Sequence, residues 1–357
     1  MYAGKYSSQV TGEVILRDLV NCFEPGLSFA DGTPVYCETS AAVFHGQKLI
    51  LASDKPVPGP SNSAVFSFDY PGNGKIQGAP TYLVSAPFIS AIKYEDMTIT
   101  PDRRHVIATT GFDRVRPDSN EWDGYNTLMF WPVNDPAAVQ VITPSRNVSV
   151  TSSLGLREKI SQALLSEAFP DKVPYFKVES LAAIPGNRLL FGIREEGASY
   201  ENFRYTFKIL SVDYRIESDN MVLAGDFELV YDYKGELHSD QRISEALSSI
   251  EYDSHRRLLY VLTSYEEGET DDSLGGYLWT LPLSNLGTHL PPEPVRNESG
   301  VPVAFAHKAE GLTILGDKLL LIIHDDDRVL GRDQVEDQRT QFSRLPHQAA
   351  YTLVSIR

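Results

Sequence analysis

A chain of 357 residues with 42% hydrophobic and 22% charged side chains has the composition of an ordinary folded protein and not of a disordered one. Its net charge of −16 excludes a general affinity for nucleic acid or anionic membranes, since both select basic surfaces. No apolar run is long enough to span a bilayer as a helix.

The opening segment, Met1-Tyr-Ala-Gly-Lys-Tyr-Ser-Ser, lacks the apolar core of a signal peptide, which points to the cytoplasm. A strand signal follows over residues 9–16. Cys22 and Cys37 could bridge, but they have no CxxC or Cys/His spacing, so zinc and redox chemistry are not indicated; in a reducing compartment both are expected as free thiols. Ser63-Ala-Val-Phe-Ser-Phe-Asp-Tyr alternates apolar and polar residues and breaks at Pro71-Gly72, the pattern of a strand and turn. Similar runs recur at 81–85, 126–131, 138–142, 206–212, 227–231 and 276–281. One helix is predicted over 154–168, where Leu156, Ile160, Ala163, Leu164 and Ala168 keep a helical stripe ahead of Pro170. Asn147 and Asn297 match the glycosylation pattern, which has no consequence without export.

A weak repeat organises these elements. Its copies open on Glu38-Thr-Ser-Ala-Ala, Glu95-Asp-Met-Thr-Ile, Glu179-Ser-Leu-Ala-Ala, Glu245-Ala-Leu-Ser-Ser and Glu310-Gly-Leu-Thr-Ile, each followed by a short apolar run. Repeats of this length with about four short strands each are propeller blades. The expected fold is all-β, a five-bladed β-propeller with six blades as the rival count. It would occupy residues 1–357 as one domain, the N-terminal strand completing the last blade and removing a free sheet edge.

Radial symmetry would carry the five glutamates to one axis, a place to hold a cation. Oxygen ligands without histidine or cysteine suit calcium, with magnesium or manganese as alternatives. Lysine precedes glutamate by two residues at Lys93/Glu95, Lys177/Glu179 and Lys308/Glu310, and positions two apart on a strand share a face. The three lysines and Asp326 are therefore candidate ligand-binding groups, and Arg194 and Asp325 are candidate catalytic groups on the rim of the same face. The alternative reading of the Lys–Glu pattern is a self-neutralised polar channel. No GxSxG, Walker loop, Rossmann fingerprint or HExxH occurs.

The segments Lys177-Val-Glu179-Ser-Leu-Ala-Ala-Ile and Lys308-Ala-Glu310-Gly-Leu-Thr-Ile-Leu-Gly-Asp-Lys-Leu-Leu resemble the blade openings of calcium-activated nucleotidases, the five-bladed apyrases, and of esterase-like phytase propellers. The resemblance covers the blade openings only. It implies an axial calcium ion held by Glu38, Glu95, Glu179, Glu245 and Glu310, with Ser40 and Ser180 as hydroxyl neighbours. The phosphate-handling segments of that family have no match here. The expectation is a cation-binding propeller that hydrolyses a phosphate or other small ester of a polar or anionic ligand. A non-catalytic propeller for a protein or carbohydrate, or a propeller lactonase or isomerase, is the alternative. Oligomeric state is not legible in the sequence.

Overall fold

The computed structural model describes residues 10–72, 74–113, 123–143, 152–217, 220–235, 245–266, 274–327 and 344–357; residue 9 and Asn147 lie outside them. Five small antiparallel sheets stand in a ring, a five-bladed β-propeller. Strand β1 (Gly12–Asn21) comes first in the chain. The first blade follows as β2 (Thr39–His45), β3 (Lys48–Ser53), β4 (Val65–Asp69) and β5 (Thr81–Tyr82). A short helix, α1 (Ala86–Ser90), leads to the second blade, β6 (Tyr94–Ile99), β7 (His105–Thr110), β8 (Leu128–Pro132) and β9 (Gln140–Val141). Helix α2 (Leu156–Ala163) precedes the third, β10 (Tyr175–Ile184), β11 (Arg188–Ser199), β12 (Asn202–Glu217) and β13 (Asn220–Tyr233). The fourth blade is β14 (Ala246–Asp253), β15 (Leu258–Glu266), β16 (Leu274–Pro282) and β17 (Glu293–Pro294), with β18 (Ala304–Phe305) also on β16. The fifth is β19 (Ala309–Gly316), β20 (Leu319–His324) and β21 (Gln348–Ile356), and β1 pairs with β21 as its outer strand.

The innermost strands β2, β6, β10, β14 and β19 touch in that cyclic order and close the ring. Both faces of an inner strand are covered by neighbouring blades, so β6 is buried along its whole length and reads as a continuous run instead of an alternating one. Outer strands such as β12 alternate with solvent at their ends. Five hydrophobic clusters result, one between each pair of adjacent blades. Helix α2 is shorter than the stripe over 154–168 predicts. Its Leu156 and Ile160, with Leu164 just beyond it, enter the cluster between blades two and three, and Arg157 donates to Asn126 Oδ1 at 2.9 Å while stacking over Phe176. The helix is thereby part of the wall between blades two and three.

Crowding at the axis dictates small residues. A side-chain carbon on Gly311 would stand 2.5 Å from Ile323 Cγ2 and 2.8 Å from the Ser40 carbonyl oxygen of the first blade. The glycine of the Glu-Gly-Leu opening is thus a packing requirement. Polar side chains also lace one inner strand to the next: Asp96 accepts from Leu181 N at 2.9 Å, Thr98 from Ala183 N at 3.1 Å and Thr313 from Phe44 N at 3.1 Å.

The two cysteines form a disulfide, Cys22–Cys37, which overturns the expectation of free thiols. The bridge joins the segments on either side of the ring closure, and Cys22 N and Cys37 N donate to His347 and Pro346 carbonyls beside it. Bonds of this kind are typical of oxidising compartments, so the cysteines lend no support to a cytoplasmic location. Among the described residues no helix is long and apolar enough to cross a membrane.

Two outcomes are expected. Replacing both cysteines by serine should lower unfolding stability by about 3 kcal/mol, the loop-closure value for a separation of 15 residues; denaturant titration with and without reductant measures it. Gly311→Ala should cost about 1–3 kcal/mol through overpacking, read as a lower denaturation midpoint with an unchanged slope.

Candidate functional site at the axial mouth

Every inner strand carries a β-bulge near its start. The extra residue is Ser40 between Thr39 and Ala41, Glu95 between Tyr94 and Asp96, Glu179 between Val178 and Ser180, Ser248 between Leu247 and Ser249, and Glu310 between Ala309 and Gly311. A bulge re-aims its side chain out of the alternating pattern, so these five positions are equivalent around the ring. The axial ring is therefore Ser40, Glu95, Glu179, Ser248 and Glu310, not the five glutamates of the sequence repeat.

Glu38 stands two residues before its bulge, where the second, third and fifth blades have Lys93, Lys177 and Lys308 and the fourth has Ala246. Glu245 precedes its bulge by three residues and accepts from Thr263 Oγ1 at 2.7 Å. One step along each second strand comes a further ring, Asp54, Gly111, Arg194, Ser264 and Asp325.

The carboxylates form two buried clusters. One oxygen each of Glu95, Glu179 and Glu310 lie within 4.8 Å of one another, and so do those of Glu38, Asp54 and Asp325. Glu245 belongs to neither. In the first cluster Lys177 Nζ lies 2.5 Å from Glu179 and 3.3 Å from Glu95, and Arg194 Nε is 3.5 Å from Glu179. Lys93 Nζ stands 3.6–3.9 Å from Asp113, Glu95 and Asp54. Lys308 Nζ is 3.3–3.5 Å from Glu266, Asp327 and Glu310. In the second cluster Lys55 Nζ is 2.6 Å from Glu38 and 3.0 Å from Asp54. Glu95 Oε1, Glu179 Oε2 and both Asp113 oxygens are buried and make no hydrogen bond among the described residues.

Arg194 differs from its expected rim position. It is 3% exposed, donates to Ser248 Oγ at 2.8 Å and Ser264 Oγ at 2.9 Å, and covers the Tyr205 ring. Ser264 in turn donates to Glu310 Oε1 at 3.3 Å. Asp325 and Asp326 are also buried. Asp325 accepts from Asp327 N at 2.9 Å, while Asp326 pairs with His307 Nδ1 and accepts from Lys308 N at 3.0 Å. The structure thus brings Glu95, Glu179, Glu310, Lys93, Lys177, Lys308 and Arg194 together, with Asp325 in the neighbouring cluster. It engages Asp326 with a histidine that the sequence did not single out. Asp54, Lys55 and Asp113, at second-strand ends that the sequence also carries to this face, join the clusters; no role was assigned to them, because strand ends rich in Asp and Lys are common.

Electrostatics divides these groups. Burial, reinforced by the neighbouring Glu179, pushes Glu95 well above the usual carboxylate range. Burial likewise raises Glu310 against the pull of Lys308. Burial opposes the ionisation of Glu179 too, but Lys177 and Arg194 win and hold it at about 2. The same contest keeps Lys177 and Lys308 charged: burial disfavours their ammonium forms, and the surrounding carboxylates raise both well above the ordinary lysine value. Burial, with Asp327 and Glu38 adding to it, raises Asp325, and burial with Asp54 beside it brings Glu38 up to about 7.

No protein-family model matches the chain, and no curated protein matches it. Among solved structures it is similar to the PQQ-bound aldose sugar dehydrogenase of Streptomyces coelicolor, at 12% identity over 98% of this chain and 99% of that one, with a TM-score of 0.40. A luciferin-regenerating enzyme matches at 9% identity over 94% and 95%, with a TM-score of 0.39. A DUF4623 family protein of Bacteroides eggerthii matches at 10% identity over 100% and 84%, with a TM-score of 0.39. Likenesses of this depth carry no statement about ligand or chemistry. The resemblance of the blade openings to apyrases and phytases rests on those residues alone.

Glu245 offers a test of the assignment. Burial raises its carboxyl to about 7 against the Thr263 hydrogen bond. A raised folded pKa contributes stability that is full below the unfolded value and is lost as pH rises through the folded one. Glu245→Gln should therefore gain stability relative to the parent between about pH 5 and pH 8, as measured by melting temperature across that range.

Proposed function

We propose that the axial mouth binds a divalent cation, calcium first among candidates, together with a small anionic ligand, and that the protein hydrolyses a phosphate or other ester of that ligand. The observation that carries this reading is the convergence of Glu95, Glu179 and Glu310 from three blades, with Glu95 Oε1 and Glu179 Oε2 buried and without a hydrogen bond among the described residues. An all-oxygen donor set fits a hard cation. Such an ion would polarise the ester oxygen toward attack.

The chain's own residues supply the rest. Lys93, Lys177 and Lys308 line the mouth with side chains 13–17% exposed, which suits them to hold the anionic group. Arg194 holds Glu179 in place from behind. Asp325, whose raised basicity comes from burial and adjacent carboxylates, is the group to take a proton from water. A second reading has a specific observation behind it. Lys177 already sits between Glu95 and Glu179, so the axis has a built-in cation and serves a non-catalytic binding scaffold.

A single variant separates the two. Because Glu95 favours its neutral form, Glu95→Gln should fold with little loss of stability, yet remove an oxygen ligand. Under the first reading calcium raises the melting temperature of the parent by mass action, about 2.7 kcal/mol at a hundredfold excess over Kd, and Glu95→Gln loses that response. It also loses metal-dependent turnover in a screen of phosphate and carboxylic esters. A parent protein whose melting is indifferent to calcium, magnesium and manganese would leave the lysines as the only counter-ions and favour the scaffold.

A further inference from the structure

The opposite end of the propeller axis holds a cavity of about 350 Å³, walled by the ends of the inner strands and by the turns that follow them. Its polar lining is unevenly committed. Asp253 accepts from His255 N at 2.8 Å, Arg256 N at 3.0 Å and Arg256 Nη1 at 3.0 Å. Asp317 pairs with His255 Nε2 at 3.2 Å, and its carbonyl accepts from Arg256 Nη1 at 2.9 Å. Glu251 is different. It projects from β14 into the cavity lining, is 6% exposed, and has neither a hydrogen bond nor an ion pair among the described residues.

The same cavity is lined by Arg103, which donates through Nη2 to the Phe44 carbonyl at 3.0 Å and forms no ion pair with Glu251. Arg103 sits at φ 58, a left-handed conformation that costs a non-glycine residue energy. The turn around it is fixed by Asp102, which accepts from Thr100 Oγ1 at 2.7 Å and Arg104 N at 3.1 Å. A buried carboxyl without a partner is costly. A carboxyl and a guanidinium on one cavity wall, with no hydrogen bond or ion pair to each other among the described residues, are the complement of a molecule that carries both an ammonium and a carboxylate. Ala183, Ile99 and Ile314 supply apolar wall between them.

We infer that this cavity is a binding site for a small zwitterionic amino acid, its ammonium on Glu251 and its carboxylate on Arg103. The volume is at the small end of ligand pockets and suits a molecule of that size. Among the described residues no three carboxylate or histidine ligands converge on this cavity, too few for a divalent ion, which separates this site from the axial mouth.

The groups around Glu251 are Asp96 on β6, Arg103 and Asp102 on the β6–β7 turn, Asp253, His255 and Arg256 at the β14–β15 turn, and Asp317 on the β19–β20 turn. Burial raises Glu251 to about 8, with Arg103 opposing and Asp253 adding. Binding an ammonium requires its ionised form, so binding releases a proton and strengthens as pH rises toward that value.

Titration calorimetry on the full chain tests the assignment with L-leucine, L-lysine and L-glutamate, alongside isopentylamine and 4-methylpentanoate, which each keep one end of leucine. At least one amino acid should bind, the stronger at pH 8 than at pH 6, and the one-ended analogues should bind about tenfold or more weakly. Glu251→Gln should abolish the pH dependence and the advantage over 4-methylpentanoate. Arg103→Gln should abolish the advantage over isopentylamine, and Arg103→Lys should restore part of it. No binding by any of the three amino acids overturns the proposal, as does an amine that binds as well as its amino acid. Glu95→Gln, at the other end of the axis, should leave this binding unchanged, so failure here and failure of the calcium reading are separate results.

Discussion

Lys177 is the ion on which the axis depends. Three glutamates from three blades cannot approach within 4.8 Å of one another as bare anions in a buried space; some must take protons or find cations. Lys177 between Glu95 and Glu179, Arg194 behind Glu179, and Lys308 beside Glu310 supply the cations. Their presence permits the inner strands to converge. Removing one of these cations leaves its carboxylates uncompensated, at a typical cost of about 3–5 kcal/mol. The arrangement therefore sets both the stability of the ring and the chemistry open to its mouth.

Convergence also explains the rest of the architecture. Inner strands that meet on an axis need short side chains toward their neighbours, and Gly311, Ala41 and Ser180 provide them. Gly192 obeys the same rule, because a methyl group there would overlap Ser180 Oγ and Leu247. Apolar bulk is displaced outward into five clusters between blades, so among the described residues the core is divided between the blades and not gathered at the centre. The ring then has one weak place, where its last sheet takes a strand from the other end of the chain. There β1 runs along β21, and the Cys22–Cys37 bridge ties that strand to the approach of the first blade.

The two ends of the axis are chemically unlike. At the bulged end the charged side chains sit close to partners of opposite sign, and a ligand must compete with or recruit an existing ion pair. Beyond the ends of the inner strands Glu251 and Arg103 share a cavity without neutralising each other. The sites we propose at the two ends therefore differ in kind, one exchanging counter-ions and the other engaging a carboxyl and a guanidinium that do not bond each other.

The propeller was legible because its units repeat: the buried openings Glu179-Ser-Leu-Ala and Glu310-Gly-Leu-Thr, each running into an apolar second strand, carry the blade count. The Lys–Glu spacing at 93/95, 177/179 and 308/310 does mark side chains that meet, at 2.5–3.8 Å, but through the bulge and not through strand alternation, since Lys93 and Lys308 precede their strands. Where the sequence misled, the cause was geometric. A bulge adds a residue without a sequence mark, so Glu38 and Glu245 looked equivalent to Glu95 while Ser40 and Ser248 hold its place in the ring. Burial of Arg194 against Ser248 and Ser264, and the meeting of Glu38 with Asp325, depend on contacts between segments far apart in the chain. Strand type and blade repeat are local properties of the chain and were fixed by it directly. Which charges face one another was decided only when the ring closed.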